Sequence, residues 1–209
     1  MATRNKAAGY HGIQNMKFAQ KSDSGYSTQL TDLLYAKSLN PSALLEAVEQ
    51  YADNRLLFRI PSDTGYEGEI GTTAPDMEFE KLAGFAQEGA NGLIRMSLAS
   101  YVRGALYYEF IERDEAGLGS AVKVWLYNVE IGKGSETHAT DEATVSFGDY
   151  SYPLHVYGDP TMTHTGDAEY IDANGLKPLT MLYSAWPDDT QYATFGDAVP
   201  VPKMAEPTV

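Results

Sequence analysis

Apolar and polar residues alternate with a period of two over several stretches of this chain, and that pattern predicts strands. In Arg55–Ile60, Leu56, Phe58 and Ile60 share one face and Arg55, Leu57 and Arg59 the other. Pro61-Ser62-Asp63-Thr64-Gly65 is turn chemistry: a preset φ, an Asx-type side chain, then a glycine. Tyr66–Thr73 resumes the alternation, with Tyr66, Gly68 and Ile70 opposite Glu67 and Glu69. The two runs predict a hairpin with one wet face. Arg103–Glu112 predicts another strand, Leu106, Tyr108 and Phe110 opposing Ala105, Tyr107, Glu109 and Ile111. Val122–Ile131 is apolar on both faces, so it is either central or covered by a second molecule. Ala143–Phe147 and Tyr150–Tyr157 predict a pair around Gly148-Asp149, with Tyr150, Tyr152, Leu154 and Val156 on one face and Pro153 marking an edge or bulge. Tyr10–Ala19 predicts a first strand, with Gln14, Met16 and Phe18 opposite Ile13, Asn15 and Lys17.

The period switches once. Thr73 suits a cap, Pro75 a first turn, and Asp76, Glu78 and Glu80 the positive end of a helix dipole. Phe79, Leu82 and Phe85 form the apolar stripe and Gly84 the stop, which predicts a helix over Pro75–Ala83. So short a helix must dock on the sheet to persist. Ser42–Tyr51 (SALLEAVEQY) has helical propensity, through Leu44, Leu45 and Val48. Gln87–Gly92, Arg113–Ser120 and Gly132–Asp141 read as loops or turns, and Leu176–Trp186 as a helix or strand docking on the body. The expected fold class is mainly β, a sandwich or barrel-like domain spanning 1–209, with a flexible N-terminal arm (1–9) and a C-terminal arm (187–209).

Composition narrows the function. With no cysteine among 209 residues there is no disulfide, thiol nucleophile or thiolate metal site. The net charge is −14, of which residues 134–209 carry −10. So acidic a chain is a poor ligand for phosphates. The N-terminus lacks the apolar segment of a secretory signal, and no stretch is apolar enough to span a bilayer.

The search for chemistry yields no catalytic, cofactor or metal residues. Ile131–Ser135 has the glycines of a phosphate loop without its spacing. His11, His138, His155 and His164 show no metal-ligand spacing; His138, Asp141 and Glu142 read as a solvated loop, and Asp172–Gly175 as a turn. Glu67 and Glu69 are same-face neighbours that read as a wet strand face rather than an acid/base pair. Trp125, Tyr127, Tyr150 and Tyr152 could form a sugar-binding platform, but sheet core or a subunit interface is the better reading.

Several of these motifs, in order, resemble the major tail (tail tube) protein of long-tailed, non-contractile bacteriophages. They are Tyr10–Ala19 (YHGIQNMKFA), Tyr51-Ala52-Asp53-Asn54, Gly65-Tyr66-Glu67-Gly68, the acidic helix ending at Gly84, Tyr107–Glu112, Val124–Tyr127, and Glu136–Asp141. The likeness covers most of the chain and departs in its third quarter and C-terminal arm. It implies a β-sandwich with a flanking helix, in which Ser42–Tyr51 is extended rather than helical. It implies a structural virion protein, not an enzyme, assembled in the host cytoplasm into hexameric rings that stack as the tail tube. Its partners would be further copies of itself, a tape-measure protein, and terminator and tip proteins, with DNA crossing the lumen unbound. The N-terminal arm, Thr28–Glu49, Gly132–Asp141 and the C-terminal arm are the expected contact regions. The alternative is a soluble carbohydrate-binding β-sandwich. A hydrolase with an Asp/Glu pair finds no support.

Overall fold

The computed structural model describes residues 7–52, 55–97, 101–138, 149–162 and 179–202; for 7, 8, 48, 52, 57, 58 and 60–62 the description is of the backbone. The strands are β1 (Ala7–Ser22), β2 (Gly25–Tyr26), β3 (Thr31–Asp32), β4 (Ala36–Leu39), β5 (Ser42–Ala52), β6 (Arg55–Thr72), β7 (Ala86–Gly89), β8 (Gly92–Arg95), β9 (Val102–Asp114), β10 (Gly119–Ile131), β11 (Ser135–Thr137), β12 (Asp149–Val156) and β13 (Leu182–Ala185). One α-helix, α1 (Met77–Leu82), stands between β6 and β7. The protein is mainly β, built on one large antiparallel sheet ordered β2-β1-β9-β10-β12-β6-β4, with β7 and β8 paired separately.

The parity expected for β9 and β10 holds and separates two cores. Leu106, Leu126, Val129, Ile131, Tyr152, Leu154 and Val156 are buried on one face. Tyr107, Trp125 and Tyr127 are buried on the other. β10 is central, and its second apolar face is covered by the chain itself. β13 pairs with β10, Lys123 opposite Ala185, and Phe195 is buried against the aromatic cluster. Residues 187–202, expected as an arm, thus lie on the sheet. Trp125 Nε1 donates to the Phe195 carbonyl at 2.7 Å, Tyr127 Oη to Pro200 at 2.8 Å, and Lys123 Nζ to Tyr192 at 2.8 Å. Donor side chains on the sheet recognise backbone carbonyls there, so the segment needs no regular structure of its own.

α1 fills the other face. Phe79 is fully buried and meets Phe18 and Tyr152 edge-to-face at 5.4 and 5.3 Å. The helix is shorter than expected because Asp76, not Thr73, caps it: Asp76 Oδ1 accepts from Glu78 N and Phe79 N, both at 3.1 Å. Asp76 Oδ2 also accepts from Leu34 N at 2.8 Å, tying the helix start to the β3–β4 link. That link bonds β1 at one end (Leu33 N to Met16 O, 2.8 Å) and β6 at the other (Thr73 N to Tyr35 O, 3.1 Å). The sheet therefore curls towards a barrel, with β1 and β4 facing across a seam.

Three expectations need correction. Pro61–Gly65 is not a hairpin turn: β6 runs through it, with Ser62 opposite Glu46 and Pro61 opposite Ala47 on β5. Its turn chemistry survives as a bend, where Gly65 N donates to Asp63 Oδ1 at 3.0 Å and Gly65 takes φ 107°. Gln87–Gly92 is largely a tight hairpin, β7 and β8 registered Gly89 to Gly92. In β1 Met16 and Phe18 are buried as expected, but Ile13 also packs on their core. Register shifts after His11 and Gln14, with Gly12 and Asn15 at positive φ, change which residues point inward. Pro153 sits where β12 passes from its ladder with β10 (154–156) to that with β11 (149–151), so its missing N–H disrupts little. The expected strand 143–147 lies outside the described residues.

Candidate functional site

No group of three or more potential metal ligands occurs among the described residues. Three buried or nearly buried carboxylates, Asp159, Glu109 and Glu80, are held in structural networks. Asp159, 1% exposed, accepts from Lys21 Nζ at 2.8 Å, from the Tyr26 hydroxyl, and from Thr161 N and Oγ1 at 2.8 and 2.7 Å. Burial alone would raise its pKa, but these four bonds outweigh it and hold the carboxyl down at about 2. Glu109 is treated alike. Burial opposes its charge, yet Tyr107 (2.5 Å), Asn15 (2.9 Å) and Gln14 (3.2 Å) donate to it and lower its pKa. Glu80, 1% exposed, accepts from Tyr150 Oη at 2.5 Å and lies 3.4 Å from Arg95 Nε. Arg95 also pairs with Glu136, so it clips the β7–β8 hairpin to α1 and β11.

The sequence candidates fare differently. Trp125, Tyr127, Tyr150 and Tyr152 are all at most 3% exposed, which removes them as a binding platform and places them in the core. Glu67 and Glu69 are exposed opposite His155 and Pro153 on β12, a wet face as expected. His138 pairs with Glu136 at 3.0 Å, while Asp141, Glu142 and Asp172–Gly175 lie outside the described residues.

What the structure presents instead are surfaces without a partner among the described residues. Residues 66–72 of β6 pair with β12. Among the described residues, 55–63 pair with β5 alone. A two-stranded ribbon therefore runs clear of the sheet for nine residues, about 30 Å. It exposes Leu45 (72%), Tyr51 (60%) and Leu56 (48%). Among its described side chains the internal supports are Tyr51 Oη to Glu49 at 2.8 Å, Arg59 to Glu49 at 3.4 Å, and Thr64 Oγ1 to Leu44 O at 3.0 Å. A two-stranded ribbon by itself is marginal in water, and a contiguous apolar patch, such as the one that Tyr51 and Leu56 begin by facing each other across the ladder, marks a contact site. The seam between β1 and β4 is a second such surface, a cleft of about 370 Å³ walled by Tyr10, Ile13, Leu39, Pro41, Tyr108 and Phe110. Beside it, Tyr35 stands at φ 63° and is 63% exposed, a conformation and exposure that folding alone does not favour.

Sequence reasoning placed Thr28–Glu49 among the contact regions but missed the ribbon, because the turn chemistry at 61–65 suggested a stop. Parity predicts the strand Arg55–Ile60, but no sequence signal carries it across Pro61–Gly65. The sequence matches no protein-family model and no curated protein.

Proposed function

We propose that this protein is a self-assembling structural subunit, the repeating unit of a tube like the tail of a long-tailed, non-contractile phage. Copies would form hexameric rings and the rings would stack, with a tape-measure protein inside and terminator and tip proteins at the ends. The observation that carries the reading is the ribbon of β5 and β6 with Leu45, Tyr51 and Leu56 in water. A ribbon that is marginal in a lone chain and exposes Leu45, Tyr51 and Leu56 among charged neighbours is explained when a second copy covers it. Ribbon and seam are different patches, so contact between them is heterologous, and heterologous contacts generate rings and filaments. The net charge of −14 suits a conduit through which DNA slides without binding.

Negative-stain electron microscopy at rising protein concentration, with size-exclusion chromatography alongside, tests it. Rings or tubes of uniform width are expected. A chain that stays monomeric at every concentration, and also when mixed with tape-measure and tip proteins, overturns the proposal.

A further inference from the structure

The half of the outer sheet face that residues 182–202 leave open carries a second constellation. Direct cross-strand partners share a face. The registers place Arg103 opposite Glu130, Glu130 opposite His155, and His155 opposite Glu67, one row across four strands. Tyr157, two residues beyond His155, lies on the same face, its ring nearly parallel to the imidazole (14°) with centroids 6.3 Å apart. Tyr101 closes the other side, edge-on to His155 at 6.0 Å. Tyr101 is 54% exposed and Tyr157 39%.

These rings are held although they are wet. Tyr101 lies over Gly132, where a Cβ would stand 2.9 Å from the Tyr101 ring and 2.8 Å from Pro153. Tyr157 N donates to Asn128 O at 3.1 Å. The polar groups converge on the same spot: the Tyr157 phenol is raised by partial burial, then by Glu130 and Tyr101, with Arg103 opposing. Arg103 Nε and Nη2 both reach Glu130 Oε1 at 2.6 Å. Glu130 Oε2 takes no hydrogen bond from the described residues, and Arg103 is 68% exposed on its side chain. The constellation thus offers flat aromatic faces beside the edge of a carboxylate, 13% exposed on its side chain, and a guanidinium that is largely in water. Tyrosine and arginine occur at protein interfaces too, but the glutamates of this row, Glu67 and Glu130, are of a type depleted there, which weighs against a protein partner. A pyranose fits better, since it has an apolar C–H face for the rings and a rim of hydroxyls for the carboxylate–guanidinium fork.

From this juxtaposition we infer that Tyr101, His155 and Tyr157, with Arg103 and Glu130, form a shallow carbohydrate site for a hexopyranose unit of a polysaccharide. The site is distinct from the ribbon and seam and does not rest on the tube reading. A contact of one or two sugar rings gives a Kd of about a millimolar.

The test is affinity electrophoresis of the full chain through native gels containing dextran, mannan, soluble starch, hydroxyethylcellulose or glycol chitin. Retardation is expected in at least one, with Tyr101→Ala and Tyr157→Ala each weakening it at least tenfold and Glu130→Gln weakening it less. Tyr35→Ala, exposed elsewhere, should migrate as the parent. Near-UV circular dichroism of the buried Trp125 reports folding, and Tyr101→Ala removes no core contact, so it decides the matter if Tyr157→Ala misfolds. No retardation in any gel, or retardation unchanged in folded Tyr101→Ala, overturns the inference.

Discussion

Replacing Asp159 by Asn separates charge from shape at the most heavily bonded buried carboxylate among the described residues. Asp159 joins Lys21 and Tyr26, near the end of β1 and in β2, to Thr161, and its backbone pairs with Thr180 just before β13. Asn offers one acceptor oxygen. If that oxygen keeps Thr161, the amide donor faces the Lys21 ammonium and the Tyr26 hydroxyl. Removing one partner of a buried ion pair costs about 3–5 kcal/mol. Lys21, 20% exposed, recovers some of this by turning to water, which sets the expected loss at about 2–4 kcal/mol at pH 7. The pH dependence is the sharper test. The folded-state pKa, about 2, lies below the ordinary value near 3.9. The stabilisation is therefore fully present above the unfolded value and fades as pH falls through the folded one. It amounts to about 2.5 kcal/mol in all, of which about 1 is lost by pH 3 and about 2 by pH 2. Urea unfolding of parent and variant between pH 7 and pH 2 should give curves that converge on the acid side. A gap that stays constant with pH, or one below about 0.5 kcal/mol at pH 7, would refute the assignment of Asp159 as a charged staple.

Three further outcomes are expected. Phe195→Ala should cost about 3–5 kcal/mol in denaturant and shift Trp125 emission to the red, because the Phe195 ring is 2% exposed and belongs to the cluster that buries Trp125. Gly68→Ala should cost about 2–3 kcal/mol, since its Cβ would meet the Asn40 carbonyl oxygen at 2.1 Å and backbone cannot yield as a side chain does. Tyr51→Ser combined with Leu56→Ser should leave chemical stability within about 0.5 kcal/mol, both residues being exposed. The same pair should abolish concentration-dependent association in sedimentation velocity, and unaltered association would remove the ribbon from the assembly surface.

Much of the architecture was legible because it rests on parity. The faces of β9, β10 and β12 follow from alternation over eight or more residues, and the helix from a change of period with Phe79 at its centre. What escaped depends on partners distant in sequence. Turn chemistry at Pro61–Gly65 is a local preference, and pairing with 43–47 of β5 overrides it. The helical propensity of Ser42–Tyr51 yields to the same ladder, as the family resemblance implied. Residues 187–202 have no period to read, since they are held through their carbonyls by Lys123, Trp125 and Tyr127. For the carbohydrate site, Tyr101 and His155 are 54 residues apart and become neighbours only through the registers of β9, β10 and β12. The aromatic cluster that stood out in the sequence is core for the same reason that it stood out. Large rings at alternating positions of central strands are what a sheet buries.

The pairing of β1 with β9, Tyr10 opposite Glu112, has a consequence for biosynthesis. Translation runs from the amino end at about 5–20 residues per second, so the roughly eighty residues between the end of β1 and the start of β9 take about 4–16 s to make. For that interval Met16 and Phe18 lack the neighbours that bury them, while β5 and β6 can already zip together. Emergence of β9 and β10 then opens a new exposure, since Tyr107, Trp125 and Tyr127 stay wet until residues 182–202 arrive. Each nascent chain thus passes through two adhesive stages in a fixed order, and on crowded polysomes the second would overlap with neighbours whose ribbons are already formed. Slowed elongation between β10 and β13 would lengthen that overlap and raise the yield of misassembled material without changing a single contact of the finished fold.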